Sequence, residues 1–95
     1  MLESELQAQI IIFCKAHDLI AVKLSPDGDN GIMDLLVLGD DDLILFIEVK
    51  HPNKSGRLRK LQERYARIFK RRRISHYVAD DYAETAKALI RRFRI

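Results

Sequence analysis

The sequence predicts an α/β fold, a mixed four-stranded sheet flanked by helices, and three observations predict it. Apolar residues recur at helical spacing in three segments, near residues 3–17, 57–72 and from Tyr82 to Phe93. Four short runs rich in Leu, Ile and Val fall between them, at 19–24, 33–38, 43–50 and 75–79. Turn formers punctuate the boundaries, above all Ser25-Pro26-Asp27-Gly28-Asp29-Asn30-Gly31 and Gly39-Asp40-Asp41-Asp42. The order helix, three strands, helix, strand, helix makes a single domain over residues 1–95.

Each element has its own reason. In the first helix Leu6, Ile10, Phe13 and His17 share a face, which Ile11 and Cys14 widen. Glu3 stands three residues before Leu6 and extends that stripe; Glu5 is a near neighbour, but helical phase turns it toward water. The second and third strands are joined by so short a loop that they form an antiparallel hairpin. Pro52 ends the third strand. The second helix carries Leu58, Leu61, Tyr65, Ile68 and Phe69 on one face, and Asp80 or Asp81 caps a last helix that turns Tyr82, Ala86, Leu89, Ile90 and Phe93 inward.

Ninety-five residues hold one core and bury only roughly 60–68% of the surface of the unfolded chain. A site in such a molecule is an open cleft. No apolar run approaches the ~20 residues of a membrane helix, and the first residues lack the pattern of a secretory signal. A single cysteine, Cys14, excludes an internal disulfide and a cysteine-built zinc cluster. These features predict a cytoplasmic protein with no membrane partner. The net charge of +3 conceals a split: residues 1–49 hold two Lys/Arg and ten Asp/Glu, residues 50–95 fifteen and four. The first half would gather cations and the second would meet a polyanion.

The chemistry concentrates in Ile47-Glu48-Val49-Lys50. Alternation puts Leu43, Leu45, Ile47 and Val49 on one face of the strand and Ile44, Phe46, Glu48 and Lys50 on the other. A carboxylate and an ammonium ending an apolar face are costly unless paired or bound to something. If Leu38 pairs near Leu43, Asp34 falls beside Ile47 or Glu48, and the favoured register sets it beside Glu48. Two adjacent carboxylates repel, and a divalent cation of the Mg²⁺ or Mn²⁺ class removes the conflict. Such a cation activates water and neutralises charge on a phosphoryl oxygen, with Lys50 stabilising the developing charge. Glu3 would reach the cation directly or through water, Gln62 borders the buried face of the second helix, and Lys23 stands at a strand end where it would meet a phosphate.

These residues resemble the PD-(D/E)XK nucleases and, among them, the VRR-NUC family. The resembling elements are Glu3, Gly31-Ile32-Met33-Asp34, Glu48-Val49-Lys50 and Gln62, spread over most of the chain. Met33 stands where the family usually has proline. The resemblance implies a restriction-endonuclease-like αβββαβ core. It implies catalytic roles for Glu3, Asp34, Glu48, Lys50 and Gln62, with Mg²⁺ or Mn²⁺ held by Asp34, Glu48, Glu3 and the backbone carbonyl of Val49. Chains of this length look like phage-type enzymes similar to Holliday junction resolvases. That implies a homodimer acting on branched DNA, in the host cytoplasm for a phage protein. Lys23, Lys54, Arg57, Arg59 and Lys60 are the expected DNA contacts. Other readings are a nicking or non-specific duplex nuclease and an inactive DNA-structure-binding module.

Several motifs carry other chemistry poorly. Asp27, Asp29 and Asn30 lack the flanking helices and closing glutamate of a calcium loop. His17, His51 and His76 have no metal-ligand spacing. Asp40, Asp41 and Asp42 read as a solvated hairpin tip.

Overall fold

Two aspartates in left-handed backbone conformation, with one extra residue before them, set the register of the central hairpin. The computed structural model describes residues 2–24, 33–50 and 60–95, and the side chains of these except 60 and 61. Between β2 (Leu35–Leu38) and β3 (Ile44–Val49), Asp41 and Asp42 have φ of 56° and 63°, and the Leu43 amide donates to the Asp40 carbonyl at 3.0 Å. This is the two-residue type I′ geometry that matches strand twist. The Gly39 amide donates to the Leu43 carbonyl at 2.9 Å, so one extra residue stands on the β2 side of the turn, and Leu38 pairs with Ile44 and Leu35 with Ile47. Gly39 precedes the turn because a Cβ there would run into the ring of Phe93.

The remaining described elements are α1 (Glu3–Ala16), β1 (Ile20–Lys23), α2 (Lys60–Arg71), β4 (His76–Ala79) and α3 (Tyr82–Phe93). The sheet order is β1-β2-β3-β4, with β4 alone parallel to its neighbour, β3. A parallel neighbour requires a crossover, which α2 supplies. The architecture is the predicted α/β one with a mixed four-stranded sheet. Helix and strand limits differ from the sequence reading by one or two residues, apart from the start of α2, whose predicted residues 57–59 lie outside the described ones.

The core lies between the sheet and the pair α1 and α3. Leu6, Ile10 and Cys14 from α1 meet Leu89 and Phe93 from α3 over Leu35, Val37, Leu45, Ile47 and Val49. Each fully buried aliphatic side chain contributes roughly 1.5–3 kcal/mol relative to exposure. On the opposite face of the sheet, Phe69 of α2 packs on Phe46 with ring centroids 4.8 Å apart.

Two helical phases depart from expectation. The buried stripe of α1 runs Leu6–Ile10–Cys14, with Phe13 half-buried and His17 exposed, its ring 4.3 Å from that of Phe13. In α3 the buried residues are Thr85, Leu89 and Phe93, while Tyr82 and Ile90 are exposed. The cap explains the second shift. Asp81 accepts from the Glu84 amide at 2.9 Å, and its carbonyl accepts from the Thr85 hydroxyl at 2.7 Å. The first turn is thereby anchored with Thr85, not Tyr82, against the sheet.

Candidate active site

The hairpin register carries Asp34 to the strand end that bears Glu48. Extended one residue beyond the Leu35–Ile47 pair, it sets Asp34 opposite Glu48, and directly opposed residues share a face. The Asp34 carbonyl accepts from the Leu24 amide at 3.0 Å. Its side-chain Oδ2 accepts from the Val49 amide at 2.8 Å. The carboxylate is therefore tied to β1 through its backbone and to β3 through its side chain.

Glu48 is 2% exposed. Its Oε2 accepts from Gln62 Nε2 at 2.6 Å and lies 3.2 Å from Lys50 Nζ, which also donates to Gln62 Oε1 at 2.8 Å. Glu48, Lys50 and Gln62 thus close a triangle in which the glutamine presents a donor to the carboxylate and an acceptor to the ammonium. Gln62 comes from the first turns of α2, whose burial of Phe69 against Phe46 sets that helix over the sheet. Glu48 Oε1 has no hydrogen-bond partner among the described residues. Burial first, and then the neighbouring Asp34, push the Glu48 carboxyl up to about 7, against the lowering influence of Lys50.

A buried carboxylate with one oxygen orphaned and a second carboxylate facing it is a donor set for a hard cation. Asp34 and Glu48 fit Mg²⁺ or Mn²⁺, since both offer only oxygen and a cation would satisfy Oε1 and remove their mutual repulsion.

Glu3 is not drawn into this cluster. It is exposed on the first turn of α1, as is Glu5, and no group of three His, Cys, Asp or Glu able to hold one ion forms among the described residues. The buried stripe of α1 begins at Leu6. Lys23 is a correction. It pairs with Leu35, and Leu35 with Ile47, so its Cβ starts on the face of the sheet opposite Glu48. Lys54, Arg57 and Arg59 lie outside the described residues, as does the side chain of Lys60. Arg64, Arg67, Lys70, Arg71 and Arg72 are exposed along α2 and its end. The Val49 amide, which orients Asp34, was not readable from sequence, since a backbone donor leaves no mark on residue type.

The fold has a counterpart among solved structures. The chain is similar to a solved structure described as a VRR_NUC domain, at 27% identity and a TM-score of 0.78, over 96% of this chain and 96% of that one. No family model matches the sequence, and no curated protein matches it.

Proposed function

We propose, since this chain belongs to the VRR-NUC family of nucleases, that it is a metal-dependent endodeoxyribonuclease selective for branched DNA such as four-way junctions. The observation that carries the proposal is the buried Glu48, orphaned at Oε1, facing Asp34 and joined to Lys50 through Gln62.

Asp34 and Glu48 would hold Mg²⁺ or Mn²⁺, with the Val49 carbonyl at the same strand end. When bound, the cation supplies Lewis-acid neutralisation of phosphodiester charge. The other steps belong to the chain. Asp34, fixed by the Val49 amide, keeps its carboxylate on the Glu48 side. Gln62 holds the Lys50 ammonium next to Glu48, where it orients a water and stabilises the charge that grows on the phosphoryl oxygen. The exposed arginines and lysines of α2 attract the DNA backbone.

Branched-DNA selectivity and a two-fold homodimer go together, because a junction of approximate two-fold symmetry needs two matched cuts. Strand β1 supports the dimer: it is an outer strand of the sheet, and its Ile20 and Val22 are 60% and 39% exposed. No helix among the described residues is long and apolar enough to cross a membrane, and we take the cytoplasm as the working compartment.

The test is cleavage of four-way junctions, flaps and linear duplex with Mg²⁺, Mn²⁺ or EDTA, beside Asp34→Ala and Lys50→Ala. Metal-dependent junction cutting lost in both variants is the expected result. Tight junction binding with no cutting under any condition would instead make the chain a DNA-structure-binding module. Equal cutting of every duplex would remove the junction selectivity.

A further inference from the structure

A cavity of about 570 Å³ opens at the far end of the sheet from Glu48, lined among others by Leu45, Ser75, Tyr77, Arg73, Arg91 and Arg92. Leu45 lies roughly 10 Å along β3 from Glu48, and the lining reaches both faces of the sheet around the outer strand β4, with Leu45 and Tyr77 on the α3 face and His76 on the face that bears Glu48. Its charged lining is wholly cationic. None of the three arginines forms an ion pair among the described residues, whose ion pairs are Lys50–Glu48 and Lys87–Glu84. Arg92 is half-buried, and its Nε donates to the Ile44 carbonyl at 2.9 Å. One edge of that guanidinium is thereby anchored to the sheet, leaving its terminal amino groups for another acceptor.

Arg73 brings the third guanidinium to this cavity. It follows α2 with φ 58°, and the Ile74 amide closes the helix end onto the Phe69 carbonyl at 2.8 Å. This left-handed position normally takes glycine or asparagine. Compensation of the helix dipole does not account for an arginine there, because Lys70 and Arg71 already occupy the last turn. Arg94 closes α3 in the same left-handed conformation, with φ 57°, so the backbone marks a helix end, and what sets Arg73 apart is that its side chain lines the cavity.

We infer that this cavity is a second phosphate-binding site, an anchor that takes a backbone phosphate of the nucleic acid away from the point of cleavage. The inference rests on the nuclease reading above and adds a contact surface on the opposite end of β3. Arg91 and Arg73 face the phosphate from the ends of α3 and α2, and Arg92 supplies the fixed guanidinium between them. A nucleic acid spanning both sites is held in one orientation relative to Lys50, as backbone contacts set register without reading sequence.

The experiment measures binding of a labelled duplex and a labelled junction in EDTA across a salt series. It compares the parent with Arg73→Gln/Arg91→Gln and with Lys15→Gln/Lys23→Gln, which removes the same charge from exposed positions on α1 and on β1, the strand at the opposite edge of the sheet from β4. The arginine pair should lose about tenfold in affinity and flatten the log–log salt slope by about one to two, while the lysine pair stays within about threefold of the parent. Arg73→Gly separates binding from folding. Glycine suits the left-handed position, so this variant should melt no lower than the parent and still bind DNA several-fold more weakly. Equal losses in the two pairs, or full affinity in Arg73→Gly and the arginine pair, would overturn the second site and leave the nuclease reading standing. A parent that shows no salt-dependent DNA binding at all would overturn both.

Discussion

The carboxylate of Asp34 is held at 2.8 Å by the amide of Val49, a residue of the same strand that carries Glu48. One hydrogen bond thus fixes the separation of the two acids. Asp34→Asn keeps an acceptor for that amide but removes the charge. It should fold as the parent does and lose about a hundredfold or more in metal-dependent cleavage, with weaker Mn²⁺ binding by calorimetry. Glu3→Gln, at an exposed position, should lose less than about tenfold. A larger loss there would bring Glu3 into the metal site of the bound state.

Gln62 is expected to act through Lys50 and Glu48. Its amide bonds both at 2.8 and 2.6 Å, so truncation frees the ammonium and leaves a buried carboxylate oxygen with one donor fewer. Gln62→Ala should cut activity about ten- to a hundredfold. It should also move the acid limb of the pH–rate profile upward, because a lost donor disfavours the ionised Glu48. Gln62→Ala combined with Lys50→Ala should cost less than the two separate losses together, as expected for residues in one network. Full additivity would show that Gln62 serves only to pack α2.

Much of this network was legible from residue types. Glu48 and Lys50 announce themselves because alternate positions of a strand share a face, and a charged pair at the end of an apolar face is conspicuous. Asp34 required the register, which hung on one residue of loop length. The two left-handed aspartates alone would set Asp34 opposite Val49, and the extra residue before them, where the Gly39 amide bonds the Leu43 carbonyl, moves the pairing to Glu48. Lys23 was misassigned for the converse reason: a strand-end lysine looks near the site in sequence, but the same pairing that brings Asp34 to Glu48 turns Lys23 to the other side. Glu3 and Tyr82 show the limit of helical periodicity, where one residue of phase separates an inward position from water and the choice is made by capping and tertiary contact. The guanidinium cavity was invisible because its lining comes from three elements distant in sequence.

The raised pKa of Glu48 has a definite sign. The folded protein binds a proton at Glu48 up to about pH 7, whereas the unfolded chain releases it near the ordinary carboxylate value. Between these values the native state holds more protons, so the stability of the metal-free protein should fall as pH rises through that window and level off above it. Divalent cation competes with the proton. Mg²⁺ or Mn²⁺ should therefore raise the melting temperature more at pH 8 than at pH 5.5, and the cleavage rate should climb through about pH 7. A Glu48→Gln variant should lose both dependences. A melting temperature of the metal-free parent that rises steadily across the window would contradict the shift.

The hairpin tip offers a stability test remote from chemistry. Asp41 and Asp42 occupy the central positions of a type I′ turn with φ of 56° and 63°, where Asn-Gly is favoured. Asp41→Asn/Asp42→Gly should stabilise the fold by about 0.5 kcal/mol or more. For a domain of this size that raises the melting temperature by about 2–4 °C. Cleavage should be unaltered, since the register is preserved. A lower melting temperature would mean that the turn does not hold this geometry in solution.

The dimer makes the most exposed claim. Ile20 pairs with Leu38 and Val22 with Leu36, so both side chains lie on the α2 face of the sheet, on the outer strand β1. An outer strand with apolar side chains and an open backbone edge is a template for pairing, and a second copy can use it isologously. Lys23, on the other face of the same strand, does not block that approach. Ile20→Lys/Val22→Lys places two charges on the surface at positions where the monomer has room for them. The variant should keep its fold by circular dichroism and sediment as a monomer at micromolar concentration, where the parent is expected to sediment as a dimer. On four-way junctions it should cut one strand at a time, releasing nicked intermediate in place of paired products. A parent that is monomeric with and without DNA would remove the dimer from the proposal, and with it the reason for expecting paired cuts.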